Sequence, residues 1–295
     1  MLKKLKQYSH EEFEQSDLPF SIARLSPGIG AIIEGINLKE DLNTETQNQI
    51  YNALLTYNVI FFRNQNITTE EHMKFGRYFG ELEIHPFAPL GVNNKKYPEV
   101  LRITHNKEKK GRENAWHSDV TWRLEPSLGS ILRMIETPEI GGDTLFANME
   151  MAYENLPTHI KEELDGAIAV HDFSVFRNQM IKDGKTEEEI DEFNEKFPKP
   201  RHPVIRTHPN TGKKSIYVNI AFTEYIENFS EKESERMLNY LYNQINTPEY
   251  QCRFKWEKDS IAFWDNRSCQ HYAVSDYWPN VRKVERVTII GDKPF

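Results

Sequence analysis

Only two cysteines, Cys252 and Cys269, occur in 295 residues, and they form neither a CxxC pair nor a dense framework. That excludes a disulfide-built scaffold and points to a reducing compartment. Long apolar runs are missing too, since none approaches the ~20 residues that span a bilayer. The opening stretch MLKKLKQYSHEEFEQSD lacks the apolar core of a secretory signal. The expected location is therefore cytoplasmic, with no membrane partner. Positive charge is in deficit: 37 Lys and Arg face 45 Asp and Glu, for a net charge of -8. This argues against a nucleic-acid partner and for a small-molecule substrate. The sequence contains no internal repeat and no low-complexity segment.

What is present suffices for a substantial core, with 38% hydrophobic and 12% aromatic residues. Residues 1–18 are polar and mixed in charge, a loosely ordered lead-in to a single domain over 19–295. Short β-type runs recur at 22–25, 31–36, 59–62, 100–104, 130–135, from Thr144 on, at 204–206, 215–218, 260–264 and 284–290. Helical patterns cover 44–55, 153–164 and 186–197. Capping-box spacing opens further helices at Thr68 with Glu71 and at Ser230 with Glu233, and also opens the 186–197 helix at Thr186 with Glu189. Many short strands around a few helices indicate a mainly β protein with helical insertions, an antiparallel double sheet of jelly-roll type. The charged run 106–114 reads as a solvated loop placed where a lid would lie.

Directly after that run stands WHSDVTW, residues 116–122. On a strand, His117 and Asp119 would share one face and could offer two corners of a metal site. A second histidine from elsewhere would complete the 2-His-1-carboxylate set of non-heme Fe(II) oxygenases. The spacing alone is weak, because His10-Glu11-Glu12 matches it as well. A hydrogen-bonded pair on a sheet face explains His117 and Asp119 equally well at this point.

The order of later residues adds specificity. Thr144 follows Asp119 after 24 intervening residues, His271 comes from the far end of the chain, and Arg282 follows it after ten. This set resembles the signature of the taurine and chlorophenoxyacetate dioxygenase family of Fe(II)/2-oxoglutarate enzymes. The phrases WHSDVTW, GGDTL, HPVIRTHPNTGKKSIYVN and FWDNRSCQHYAVSDYWPNVRKVERVTIIGDKPF carry the likeness, which runs from about Ile22 to the C-terminus.

The resemblance implies a double-stranded β-helix (jelly-roll, cupin-like) whose mouth holds Fe(II) through His117, Asp119 and His271. It implies 2-oxoglutarate and O2 as co-substrates, with Thr144 and Arg282 gripping the distal carboxylate of 2-oxoglutarate. A guanidinium fork and a hydroxyl suit that carboxylate. Arg286, four residues past Arg282, would share its strand face and take a second anion. The resemblance thus implies a small anionic organic substrate whose sulfonate is held by Arg286 and His85, against Phe222 as an aromatic wall. Taurine leads, with an alkyl sulfate or a carboxylate as the alternative. Two positions depart from the family pattern on the amine side, Ala88 for tyrosine and Glu113 for asparagine. Glu113 either pairs with an ammonium or points to solvent. The different-class alternative is a non-catalytic metal- and 2-oxoglutarate-binding protein or a zinc hydrolase; both arginines together with Thr144 argue against it, since a hydrolase needs no dicarboxylate clamp. The oligomeric state is left open, a homo-oligomer included.

Overall fold

The computed structural model describes Leu5 and residues 18–84, 93–94, 96–111 and 114–295. The chain begins with a hairpin, β1 (Ser21–Arg24) and β2 (Ala31–Glu34), then helix α1 (Thr44–Tyr57) and strand β3 (Val59–Phe62). Helix α2 (Thr69–Arg77) leads to β4 (Asn93–Asn94), β5 (Tyr97–His105), β6 (Gly129–Glu136) and β7 (Thr144–Asn148). Helices α3 (Met149–Glu154) and α4 (Thr158–Glu163), strand β8 (Ile168–His171) and helices α5 (Ser174–Lys182) and α6 (Glu187–Lys196) follow. Short strands β9 (Arg201–Pro203), β10 (Ile205–Thr207), β11 (Lys214–Ile216) and β12 (Thr223–Ile226) precede helix α7 (Glu231–Gln244). The chain closes with β13 (Gln251–Phe254), β14 (Ile261–Asp265), β15 (Cys269–Ala273) and β16 (Arg282–Ile289).

Eight strands form the main sheet in the order β1-β2-β3-β14-β6-β16-β5-β4, and β13-β7-β15 form a smaller one. Alternation along β3 shows how the main sheet is used. Val59 and Phe61 join a core with Phe146, Cys252 and Phe254 of the small sheet, while Ile60 and Phe62 join the core under α1 and α2. All four residues are buried, which is why the run reads as continuous apolar rather than alternating. On β16 the same period sends Arg282, Val284 and Arg286 to one face and Val287 and Ile289 to the other. The space between the two sheets is thus the place where Arg282 and Arg286 meet residues of β7 and β15.

The capping boxes at Thr68, Thr186 and Ser230 are all formed, and the hairpin β10–β11 closes around residues 208–212 as expected. Other elements differ. The single helix expected over 153–164 is two short ones, because Pro157 cannot continue α3 and instead precedes α4. Helix α5 and strands β8, β13 and β15 carry no strong periodic signal and were not expected. Of the lead-in 1–18, only Leu5 and Leu18 lie among the described residues.

Candidate active site

His271 lies at the middle of β15, and His117 forms a two-way bridge with it: His117 N donates to His271 O at 3.1 Å and His271 N to His117 O at 2.8 Å. The bridge is one residue long. WHSDVTW is therefore not the regular strand expected from its sequence, because after His117 the chain turns away from the sheet. Val120 stands at φ 50°, a region a β-branched residue avoids, at a cost on the order of 1 to 3 kcal/mol. Side chains replace the missing ladder. Asn266 Oδ1 accepts from Asp119 N at 3.0 Å, and His202 Nε2 donates to Thr121 O at 3.0 Å and Arg123 O at 2.9 Å. Asn219 Nδ2 donates to the Thr121 hydroxyl at 2.9 Å.

The turn brings Asp119 to the histidines by a route other than strand alternation. Donor atoms of His117, Asp119 and His271 all lie within 4.8 Å of one another. The donor set suits a divalent cation. His117 Nδ1 donates to Ala115 O at 2.8 Å, which leaves Nε2, 3.8 Å from Asp119 Oδ1, with its lone pair. His271 is buried, and its Nδ1 finds no hydrogen-bond partner among the described residues. Burial, with His117 beside it, lowers the His271 pKa to about 3, so the ring is neutral and able to ligate. Burial opposes ionisation of Asp119, but the Arg286 guanidinium beside it outweighs that and holds the carboxyl well below the usual range. Ser130 Oγ adds a hydrogen bond to Asp119 Oδ2 at 2.7 Å.

A cavity opens beside these donors and reaches Thr144, Arg282 and Arg286 as well. Arg282 is buried, and its Nε donates to Gly142 O at 3.2 Å. The Thr144 hydroxyl accepts from Trp256 Nε1 at 2.9 Å, which leaves its own proton to give. Arg286 was expected to face a substrate anion alone, yet its Nη1 donates to Asp119 Oδ1 at 2.6 Å. Phe222 is buried and stands edge-on to His117, ring centroids 6.0 Å apart. His85, Ala88 and Glu113 lie outside the described residues. Sequence reasoning missed Ser130, Asn266 and Trp256. Each is remote in sequence from the group it touches, and none belongs to a recognisable spacing.

Residues 21–288 match the family described as Taurine catabolism dioxygenase TauD, TfdA family. The chain belongs to this family. Among its relatives is an alkylsulfatase of Acinetobacter baylyi, 36% identical over 276 residues, 92% of this chain and 85% of that one. An alpha-ketoglutarate-dependent sulfate ester dioxygenase of Pseudomonas putida is 35% identical over 271 residues, 90% and 88% of the two chains. The crystal structure of a taurine dioxygenase from Burkholderia xenovorans matches with a TM-score of 0.79 at 35% identity, over 93% of this chain and 90% of that one. The two facing sheets are thus those of a TauD-type jelly roll. This TauD/TfdA-family protein is a 2-oxoglutarate-dependent dioxygenase that uses Fe(II), 2-oxoglutarate and O2.

Proposed function

We propose that the enzyme oxidises the carbon beside an anionic sulfur-oxygen group, and that its substrates are alkyl sulfate esters and alkylsulfonates. One observation carries this reading. Arg282 and Arg286, on one face of β16, both reach the cavity lined by His117 and His271, beside which Asp119 completes the donor set. Arg282 is buried, and Arg286, part-buried and already paired with Asp119, keeps a buried Nε without a hydrogen-bond partner among the described residues, so each can take an anion. In this reading His117, Asp119 and His271 hold Fe(II), and Arg282 with the Thr144 hydroxyl grips the distal carboxylate of 2-oxoglutarate. Arg286 takes the head of the substrate, with Phe222 in the wall and His85 assisting. Arg286 Nε is buried without a hydrogen-bond partner among the described residues, which supports anion recognition there.

When bound, iron supplies the O2-dependent oxidation of a C–H bond, coupled to conversion of 2-oxoglutarate to succinate and CO2. The chain's own task is to orient the two anions and exclude water. One oxygen atom enters succinate and the other becomes a hydroxyl on the substrate carbon. Beside a sulfate ester, that adduct collapses to an aldehyde and sulfate. Beside a sulfonate it collapses to an aldehyde and sulfite.

Sulfate esters come first, since the relatives from Acinetobacter and Pseudomonas are named for them and the amine-side positions Ala88 and Glu113 depart from the taurine pattern. Taurine comes second, favoured by Glu113 as a carboxylate able to pair with an ammonium. The test is a panel of an alkyl sulfate, an unaminated alkylsulfonate, taurine and an aryloxyacetate, scored for succinate together with sulfate or sulfite. Stoichiometric sulfate from the ester supports the reading, and turnover confined to the carboxylate overturns it.

The same reading takes residues 19–295 as one catalytic domain after a lead-in, acting in the cytoplasm as a monomer or homo-oligomer. The family match over 21–288 supports the extent. No helix among the described residues is long and apolar enough to cross a membrane.

A further inference from the structure

The end of the cavity around Arg282 is built from three segments whose contacts the reading above does not use. His105, the last residue of β5, is the cross-strand partner of Arg282 and lines the same cavity. Its Nδ1 lies 2.6 Å from the hydroxyl of Tyr277. Tyr277 is buried, and its ring centroid is 5.8 Å from the Arg282 guanidinium carbon, with the Trp256 ring 6.0 Å from the same carbon. Gly142, whose carbonyl accepts from Arg282, also lies against Tyr277: a Cβ there would sit 3.2 Å from the Tyr277 ring and 3.2 Å from the Arg282 side chain.

Residues 106–111 complete this end. The run turns on Asn106, whose Oδ1 accepts from the backbone of Glu108 and Lys109, each at 2.9 Å. Residues 107–110 are exposed, but Gly111 is buried and its carbonyl accepts from Ser275 Oγ at 2.9 Å. A Cβ on Gly111 would fall 2.6 Å from the Tyr277 hydroxyl, closer than real side chains approach, and a tight 3.0 Å from His105 Nδ1. The absence of a side chain at Gly111 is what lets the segment seat on the His105–Tyr277 pair.

We propose that Tyr277 and His105 are positioning residues for Arg282, latched by the strap 106–111 at Gly111, and that together they set the affinity for 2-oxoglutarate. The inference rests on Arg282 being the co-substrate clamp. Arginine has many rotamers, and a guanidinium held between two rings and a carbonyl meets a carboxylate without first being ordered. Two hydrogen-bonded groups, one hydroxyl and one ring nitrogen, fix the tyrosine ring that confines it.

The experiment is an anaerobic titration of the whole chain, loaded with Fe(II), with 2-oxoglutarate, followed by calorimetry, beside KM values for 2-oxoglutarate and for the sulfur substrate. Tyr277→Phe, which removes one oxygen, is expected to weaken 2-oxoglutarate by roughly fivefold to tenfold while leaving the other KM within about twofold. Gly111→Ala is expected to weaken it at least as much, and Gly111→Ala combined with Tyr277→Phe to recover part of that loss, because the obstructing hydroxyl is gone. Arg282→Ala is the control. If Arg282→Ala weakens 2-oxoglutarate but Tyr277→Phe does not, this inference fails and the clamp stands. If Arg282→Ala has no effect, the clamp itself is wrong. Equal weakening of both ligands by Tyr277→Phe would assign the tyrosine to packing and overturn the inference.

Discussion

Asp119 concentrates the residue-scale argument. Its backbone and its two carboxylate oxygens are each addressed by a different residue, Asn266, Ser130 and Arg286, and Arg286 also balances its charge. A ligand held this way keeps both its ionisation and its direction. Ser130→Ala removes the 2.7 Å hydrogen bond, and the one from Asn266 at 3.1 Å, without touching the donor set, so metal affinity should fall about tenfold or more, with a stability cost of about 1 to 3 kcal/mol. A competition titration with a chromophoric chelator reads this directly, and unchanged affinity would show that Ser130 does not orient the carboxylate. Arg286→Ala divides two further roles. It should weaken the sulfur substrate by about 2 to 5 kcal/mol and 2-oxoglutarate much less, whereas Arg282→Ala should do the reverse. Steady-state kinetics on the paired variants checks this, and exchanged effects would mean the two arginines have been assigned the wrong way round. Order and spacing, through the family resemblance, pick out His117, Asp119 and His271, which the fold brings together, and Thr144 and Arg282, which line the adjoining cavity. The link between Arg286 and Asp119 was not, because it depends on a turn at Val120 whose supports, Asn266 and His202, are more than 75 positions away in the chain.

At the scale of elements, Asn58 joins four pieces that the chain brings together late. It ends α1 in the left-handed region at φ 62° and is almost fully buried. Its Nδ2 donates to Ser268 Oγ at 2.9 Å, and its Oδ1 accepts from Asn148 Nδ2, also at 2.9 Å. Asn148 is in turn the N-cap of α3, and Ser268 precedes β15 with its His271. Asn58→Ala would combine an unfavourable φ with unpaired buried partners, a cost of about 2 to 4 kcal/mol. Asn58→Gly keeps the φ and should lose about 1 kcal/mol less. Urea unfolding of the two variants tests the idea, and a cost below about 0.5 kcal/mol for alanine would show the bracket to be idle. Local signals such as the three capping boxes and the apolar run of β3 could be read before the structure was known. Strand β15 could not, since CQHYA mixes polar and apolar residues, of which Cys269, Gln270 and His271 are buried by the pairing with β7 and the 117 bridge. Tertiary contact, not local preference, makes it a strand.

The whole molecule carries buried neutral histidines that are not part of the metal set, and they tie its stability to pH. His72, on the buried face of α2, donates from Nε2 to Ile131 O at 3.0 Å, while His171 and His202 pack together, ring centroids 5.1 Å apart, beneath the Thr121 turn. Burial lowers all three below the ordinary 6.5, His72 to about 3 and His202 to about 4. Each therefore binds a proton more readily in the unfolded chain, so stability is complete above about pH 6.5 and is lost as pH falls toward the folded values. Each such histidine contributes a slope of about 1.4 kcal/mol per pH unit within its window. Asp265 has its ionisation opposed by burial but is held well below the usual carboxylate range by Arg267 and His208, so its stabilisation is lost only at lower pH, below its ordinary 3.8. Two acid windows should thus appear in succession. With metal removed by chelator, so that metal binding adds nothing and His271, itself lowered to about 3, adds a slope of the same sign, urea unfolding between pH 7 and pH 4.5 should show stability falling steeply below about pH 6.5. His72→Gln keeps a donor for Ile131 O and removes one titrating ring, so its curve should be flatter by about 1.4 kcal/mol per pH unit. A wild-type curve that stays flat down to pH 4.5, or a variant that tracks it, would mean that these histidines reach water in the folded state.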